Sequence, residues 1–223
     1  MDNRTFPVTD AWYPIELSGN IRAGAITQAF LFGQELAVWR NQAGQVMVWE
    51  NRCAHRSVRL TLGRIVNDQL SCGYHGWRYG STGACTYIPA HPSAPPPRSA
   101  CIKTFPAKEK NGLVWASLAS ESPTDQPVAV SGTFCRSYVR DGDFDEIAAC
   151  FDAIGFQQVS HAVFRAEPVG HERGRTLLVA PMDEKQHLLH LWIDGEATAS
   201  ERTAENARLK SALRHVSRLE VAA

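Results

Sequence analysis

Cys53-Ala-His55-Arg56, and then Cys72-Gly-Tyr-His75-Gly76-Trp77, is the pair of words from which this chain is read. Each word offers one cysteine and one histidine in the same order, and sixteen residues separate His55 from Cys72. Two cysteines and two histidines could hold a tetrahedral zinc ion, but that site usually pairs Cys with Cys and His with His along the chain. Here each loop mixes the two types. Mixed pairs suit a two-iron, two-sulfide cluster in which Cys53 and Cys72 hold one iron and His55 and His75 hold the other.

Working outward, the flanks read as short strands. Ala29–Phe32 and Leu36–Arg40 lie either side of Gly33-Gln34-Glu35, a hairpin signal. Asn41–Gly44 is a second turn, and Val46-Met-Val-Trp49 leads directly into the first cysteine-histidine loop. Between the loops, Asn67-Asp68 separates Gly63–Val66 from Gln69–Ser71. Gly80–Gly83 and Asn111-Gly112 mark two more turns. The sum is a small antiparallel β domain that fixes two loop tips against each other. Pro89, Pro92 and Pro95-Pro96-Pro97 predict an extended, polyproline-like segment wrapping it. The Ser/Thr/Pro-rich stretch Ser120–Pro127 predicts a linker.

The remainder mixes helix and strand. Asp143 with Glu146 three residues on predicts a helix start, and Phe144, Ile147, Ala148, Phe151 and Ile154 share one face. Thr176–Pro181 and Gln186–Ile193 predict a hairpin about Met182–Lys185. Ser200–Leu219 predicts an amphipathic helix with Leu209, Ala212, Leu213, Val216 and Leu219 inward.

Composition limits the function. The chain has 223 residues, enough for one large or two small domains, and its net charge is zero. A neutral balance gives no reason to expect nucleic acid or an anionic membrane as partner. No basic-then-apolar leader opens the chain, and no apolar run approaches the length of a membrane helix, so the cytoplasm is the expected compartment. There Cys85, Cys101, Cys135 and Cys150 would be free thiols. No Gly-rich phosphate loop supports direct nicotinamide or flavin binding.

Residues 12–118 resemble the N-terminal domain of the α subunits of Rieske non-haem iron oxygenases, in the vanillate demethylase and phthalate dioxygenase branch. The resemblance rests on Trp12-Tyr13-Pro14, the two cluster words, Gly63, Gly83, Ile88-Pro89 and Gly112-Leu-Val-Trp115. Ala54 and Gly73 stand where proline is common, and neither is a ligand position. The implied fold is mainly β with an α+β C-terminal part. A Rieske antiparallel β domain (residues 1–119) would be followed by a linker (120–130) and a shortened, helix-grip-like catalytic region (131–223).

In that family the second domain holds a mononuclear iron through two histidines and a carboxylate. The best placement of its motif runs from Cys150 to His161. His161 then stands at the second histidine, Phe156 at the first, Ala153 at the bridging aspartate and Cys150 at the leading Asn/Glu. The resemblance therefore implies a [2Fe–2S] cluster on Cys53, His55, Cys72 and His75, and at His161 only a remnant of a mononuclear Fe(II) site. Elsewhere, His187 and His190 lie three apart on a strand and point to opposite faces. His161 and His171 are separated by Pro168 and Gly170.

The expected role is an electron-transfer subunit of a Rieske oxygenase system. It would take single electrons from a ferredoxin or flavin reductase and pass them towards a mononuclear-iron oxygenase centre. By resemblance it would sit in a homo- or hetero-oligomer, a trimeric ring. The competing readings are a compact terminal oxygenase or O- or N-demethylase of aromatic or heterocyclic substrates, and a non-catalytic redox sensor or scaffold.

Overall fold

The computed structural model describes residues 10–170 and 172–214. The chain divides into two units, with the break between Pro127 and Val128.

The first unit contains three antiparallel sheets. One joins β1 (Tyr13–Leu17), β11 (Leu113–Ala116) and β10 (Ala107–Lys110), in that order. A second runs β2 (Ile26–Leu31), β3 (Gln34–Arg40), β4 (Val46–Glu50), β9 (Thr104–Phe105). The third, β5 (Arg64–Val66), β6 (Gln69–Ser71), β7 (Arg78–Tyr79), β8 (Cys85–Tyr87), carries the cysteine-histidine loops at its end. The first hairpin turn is tighter than the spacing of apolar residues predicts, and the other two fall where the sequence places them. Phe32-Gly33, Asn67-Asp68 and Asn111-Gly112 all hold positive φ at both positions. That is the two-residue turn whose twist matches an antiparallel pair, so Gln34 and Glu35 belong to β3 and not to a loop.

The alternation of β3 and β4 buries Ala37, Trp39, Met47 and Trp49 on one face. These pack with Leu70 and Tyr79 of the third sheet and with Cys53 and Cys72. Trp39 and Trp49 meet edge to face at 4.9 Å. The cluster cysteines are thus seated in the unit's own core.

Two segments differ from expectation. Residues 88–100 form a chain of hydrogen-bonded turns (His91 N to Ile88 O, Ala94 N to His91 O, Ala100 N to Pro97 O) and not a continuous extended helix. Each proline fixes one φ, yet His91, Ala94 and Ala100 keep free N–H donors that close turns between them. The stretch 120–127 lies along the first unit. Trp12 Nε1 donates to Asp125 O, and Lys110 Nζ donates to Pro127 O.

In the second unit one five-stranded antiparallel sheet runs β12 (Thr133–Asp141), β16 (Gln186–Ile193), β15 (Arg175–Pro181), β14 (Val163–Ala166), β13 (Gln157–Ser160). The β15–β16 hairpin falls where the sequence predicts it. Its central strand β15 is buried at every residue, which accounts for the unbroken apolar run Leu177–Pro181. Helices α1 (Phe144–Asp152) and α2 (Ala199–Ala212) lie on one face of this sheet. Ile147, Phe151, Leu209 and Leu213 pack there with Phe156, Phe164, Leu177 and Leu189. The mainly β fold with an α+β C-terminal part is borne out.

The helix ends correct one local reading. Asp143 occupies the N-cap position of α1 but its side chain makes no capping hydrogen bond. The reciprocal capping box belongs to α2, between Thr198 and Glu201. Val216 and Leu219 of the predicted stripe, and His171, lie outside the described residues.

Candidate metal centre

The two cluster loops close in the same way. Cys53 N donates to Val58 O, and Ser57 N returns to Cys53 O, at 2.9 and 2.8 Å. Cys72 N donates to Trp77 O, and Gly76 N returns to Cys72 O, at 2.9 and 3.1 Å. The fourth residue after each cysteine is left-handed, Ser57 at φ 52° and Gly76 at φ 69°. Both loops therefore turn on the same backbone scheme, with the histidine two residues after the first cysteine and three after the second.

Gly63 and Gly73 let the loops approach. A Cβ on Gly73 would lie 2.3 Å from Leu62 O, and one on Gly63 would lie 2.3 Å from Ser71 O. Both obstacles are backbone, which cannot rotate away. That close approach is the physical reason for glycine at positions 63 and 73 of this chain.

Cys53 and Cys72 are buried, while His55 and His75 are exposed. His55 Nδ1 and His75 Nδ1 approach to 3.1 Å. Two nitrogens bound to one first-row metal at about 2.1 Å, in roughly tetrahedral arrangement, would lie about 3.4 Å apart. Two convergent imidazole nitrogens above two neighbouring buried sulfurs fit a cluster with one His₂ iron and one Cys₂ iron. Burial pushes the Cys72 thiol up, while the backbone N–H groups of Tyr74 and His75 and the neighbouring Cys53 act on the same sulfur. Loss of hydration, then the neighbouring His75 and Arg56, hold His55 below the usual histidine value.

Around these four side chains stand Trp77, already part of the second word, and two tyrosines to which sequence reading assigned no role. Trp77 stacks on His55, rings 4.5 Å apart and 3° from parallel. Tyr74 lies 3.8 Å from the His75 ring. The Tyr79 hydroxyl sits 3.1 Å from Cys53 Sγ in the core, and burial together with that sulfur raises its pKa. A phenol that stays protonated there is a donor to the ligand sulfur. Hydrogen bonds to cluster sulfurs favour the reduced, more negative state. Replacing Tyr79 with phenylalanine is expected to lower the reduction potential by about 40 mV, one electron's equivalent of about 1 kcal/mol. Protein-film voltammetry reads it, and an unchanged potential contradicts the assigned bond.

Glu35 ties the first loop to β3. Its carboxylate meets Arg52 at 2.7 Å and Arg59 at 2.5 Å. The Arg59 hydrogen bonds hold the Glu35 carboxyl below the ordinary carboxylate value against the opposing effect of burial, with the charges of Arg52 and Arg59 adding. A depressed carboxylate contributes stability above its unfolded pKa and loses it as pH falls through the lowered folded value. Thermal melts taken from about pH 6 down to about pH 3 should show wild type losing more stability than Glu35→Gln. Parallel curves for the two proteins would remove Glu35 from the acid response.

In the second unit the candidate iron residues are scattered. His161 lies in the turn between β13 and β14. Cys150 is half-buried on α1, and Ala153 is the residue that ends that helix. Phe156 is buried among Phe151 and Phe164, with the Arg175 guanidinium 5.4 Å from its ring centroid. The helix ends before Phe156, so Cys150 and His161 do not share one helix. His187 and His190 are buried on opposite faces of β16. His187 lies 5.9 Å from the Phe144 ring, and His190 Nδ1 lies 2.7 Å from Ser137 Oγ. Among the described residues, no group of three or more His, Cys, Asp or Glu converges on a single ion. A Rieske cluster asks only two protein ligands of each iron, so the first-unit set is a different case.

Residues 11–106 match the family described as Rieske [2Fe-2S] domain. This chain carries a Rieske domain. With it comes a [2Fe–2S] cluster as cofactor, and the resemblance to Rieske non-haem iron oxygenases is borne out. The chain is 41% identical over 148 residues to oxidoreductase NdmD of Pseudomonas putida, covering 62% of this chain and 25% of that protein. It is 36% identical over 108 residues to the toluene-4-sulfonate monooxygenase system iron-sulfur subunit TsaM1 of Comamonas testosteroni, covering 48% of this chain and 30% of that one. The chain thus spans between a quarter and a third of the length of these curated relatives. In fold it is similar to apo dicamba monooxygenase, with a TM-score of 0.76 at 16% identity, over 94% of this chain and 85% of the other. The Rieske match falls within the first unit, and the fold likeness extends over both.

Proposed function

We propose that this chain is an electron-transfer component of a Rieske oxygenase system, taking single electrons from a ferredoxin or flavin reductase for a mononuclear-iron oxygenase centre. A cluster bound by two thiolates and two neutral imidazoles exchanges one electron at roughly −150 to +300 mV. The chain's residues supply the path. Cys53 and Cys72 hold the inner side within the core, and His55 and His75 bring the outer side to the surface. Trp77 and Tyr74 keep the two imidazoles in place.

The single observation that supports a donor role is the second unit's packing. Phe156 fills the core and Ala153 ends α1, at the positions where the resembling motif has a histidine and an aspartate. Such a chain would pass its electrons to an oxygenase centre on another polypeptide, in a mixed ring. The cytoplasm is the compartment that fits this role, and no helix among the described residues is long and apolar enough to cross a membrane.

The second reading, a compact terminal oxygenase or demethylase, is favoured by the breadth of the fold likeness to dicamba monooxygenase. Iron analysis separates the two. About two irons per chain, with the reduced protein passing electrons to a separate oxygenase, supports the donor role. Three irons with substrate oxidised by this chain alone would sink it.

A further inference from the structure

We propose that a cleft between α2 and the sheet of the second unit binds a small zwitterion, a free α-amino acid with a short side chain. This site is separate from the cluster and does not rest on the electron-transfer reading. The cleft holds about 150 Å³. Arg175, the first residue of β15, and Ile193, the last of β16, line it from the sheet. Glu201, Ala204 and Glu205 line it from α2, and Glu172 and Arg173 line it from the segment before β15. Arg175 is only 3% exposed. Its Nη1 donates to Glu205 at 3.0 Å, its Nη2 lies 3.6 Å from Glu172, and its guanidinium lies 5.4 Å from the Phe156 ring centroid. Its Nε–H is buried and has no acceptor among the described residues. A buried donor without an acceptor is disfavoured, so the cleft calls for an oxygen beside Arg175.

The other lining residues say what else that ligand carries. Three glutamates and two arginines line the cleft, an excess of one negative charge. A bare anion meets that excess, and a bare cation gives Arg175 no acceptor. No group of three or more His, Cys, Asp or Glu converges on a single ion among the described residues, so a metal ion does not fit either. A carboxylate for Arg175 and an ammonium for the glutamates use both signs at once, and a free amino acid carries the two a few bonds apart. The volume lies well below the roughly 300–1,000 Å³ of pockets for drug-sized ligands, so the ligand is small. Helix α2 gains from such a ligand. Leu209 is its one buried residue, and charge holds it down, through Arg173–Glu201 at 3.2 Å, Arg175–Glu205 at 3.0 Å and Arg208–Glu172 at 3.0 Å. A zwitterion that bridges Arg175 and the helix glutamates clamps α2 to the sheet, and a ligand of the folded state stabilises it.

The test uses the full, cluster-loaded chain with glycine and alanine as probes, at constant ionic strength. Titration calorimetry reads binding, and thermal melts followed by helical ellipticity read the clamp. The expected result is a saturable isotherm with one of the two amino acids and a rise in melting midpoint of roughly 2 °C or more. Acetate alone and methylammonium alone should each bind at least about tenfold more weakly, because each meets one sign of charge. Ala204→Leu replaces an exposed helical residue with a good helix former, so the variant keeps its fold while its side chain occupies the cleft. It should lose the isotherm and keep the melt of the unliganded protein. Arg175→Lys keeps the charge, removes the Nε–H, and should weaken binding about tenfold. No saturable response to either amino acid leaves water as the occupant and overturns the site. Acetate or methylammonium binding as well as glycine overturns the zwitterion, and undiminished binding to Ala204→Leu overturns the cleft.

Discussion

Cys72→Ser is expected to empty the cluster site, taking iron from about two per chain to near zero and removing the visible absorbance. Three features of the fold make the loss near complete. The sulfur is buried, so no water or surface group can take its place. It neighbours Cys53, so one iron would keep a single protein ligand. The N–H groups of Tyr74 and His75 are aimed at a sulfur anion, whereas a serine hydroxyl at neutral pH is uncharged and a poor ligand for iron. Cys85→Ser supplies the comparison. Its thiol packs against the same core and is raised by burial, but it belongs to neither loop. That variant should keep both irons. Full iron content in Cys72→Ser, or loss of iron in Cys85→Ser, would contradict the ligand set.

Phe151→Ala should destabilise the second unit by about 3–5 kcal/mol, the usual cost of removing a fully buried phenyl ring. Phe151 is 0% exposed. It meets Phe164 edge to face at 5.0 Å and Phe156 at 6.3 Å, so its loss opens a void between α1 and the sheet. No neighbour can fill that void without leaving its own rotamer well. Because the chain divides into two units, the cluster absorbance should persist while helical ellipticity melts earlier. Simultaneous loss of both signals, with one shared midpoint, would show that the units unfold as one.

The sequence was most legible where chemistry constrains neighbours. Cys53, His55, Cys72 and His75 fall on two short loops, and the turns between strands carry Asn, Asp or Gly at most of their positive-φ positions, Phe32 being the exception among the three hairpin turns. Both are local demands, and local demands leave local marks. Tyr79 left none, because its contact with Cys53 is made across 26 positions.

The second unit was harder for other reasons. β12 bears a register shift between Phe134 and Arg136, which breaks its alternation. β13 is four residues of mixed polarity. Asp143 and Glu146 have the spacing of a capping box, yet the same pattern at Thr198 and Glu201 is the one that forms. Spacing alone does not decide whether the N-cap side chain turns back onto the helix.

The matched closure of the two loops, with the histidine displaced by one position, has a consequence for the pair as a whole. The backbones repeat, but the imidazoles are not related by that repeat. Their planes are inclined by 57°, and one rests on an indole while the other lies against a phenol ring. As ligands of one iron the two nitrogens would therefore be magnetically and electronically inequivalent, and an electron leaving through one ring would meet a different surface from an electron leaving through the other.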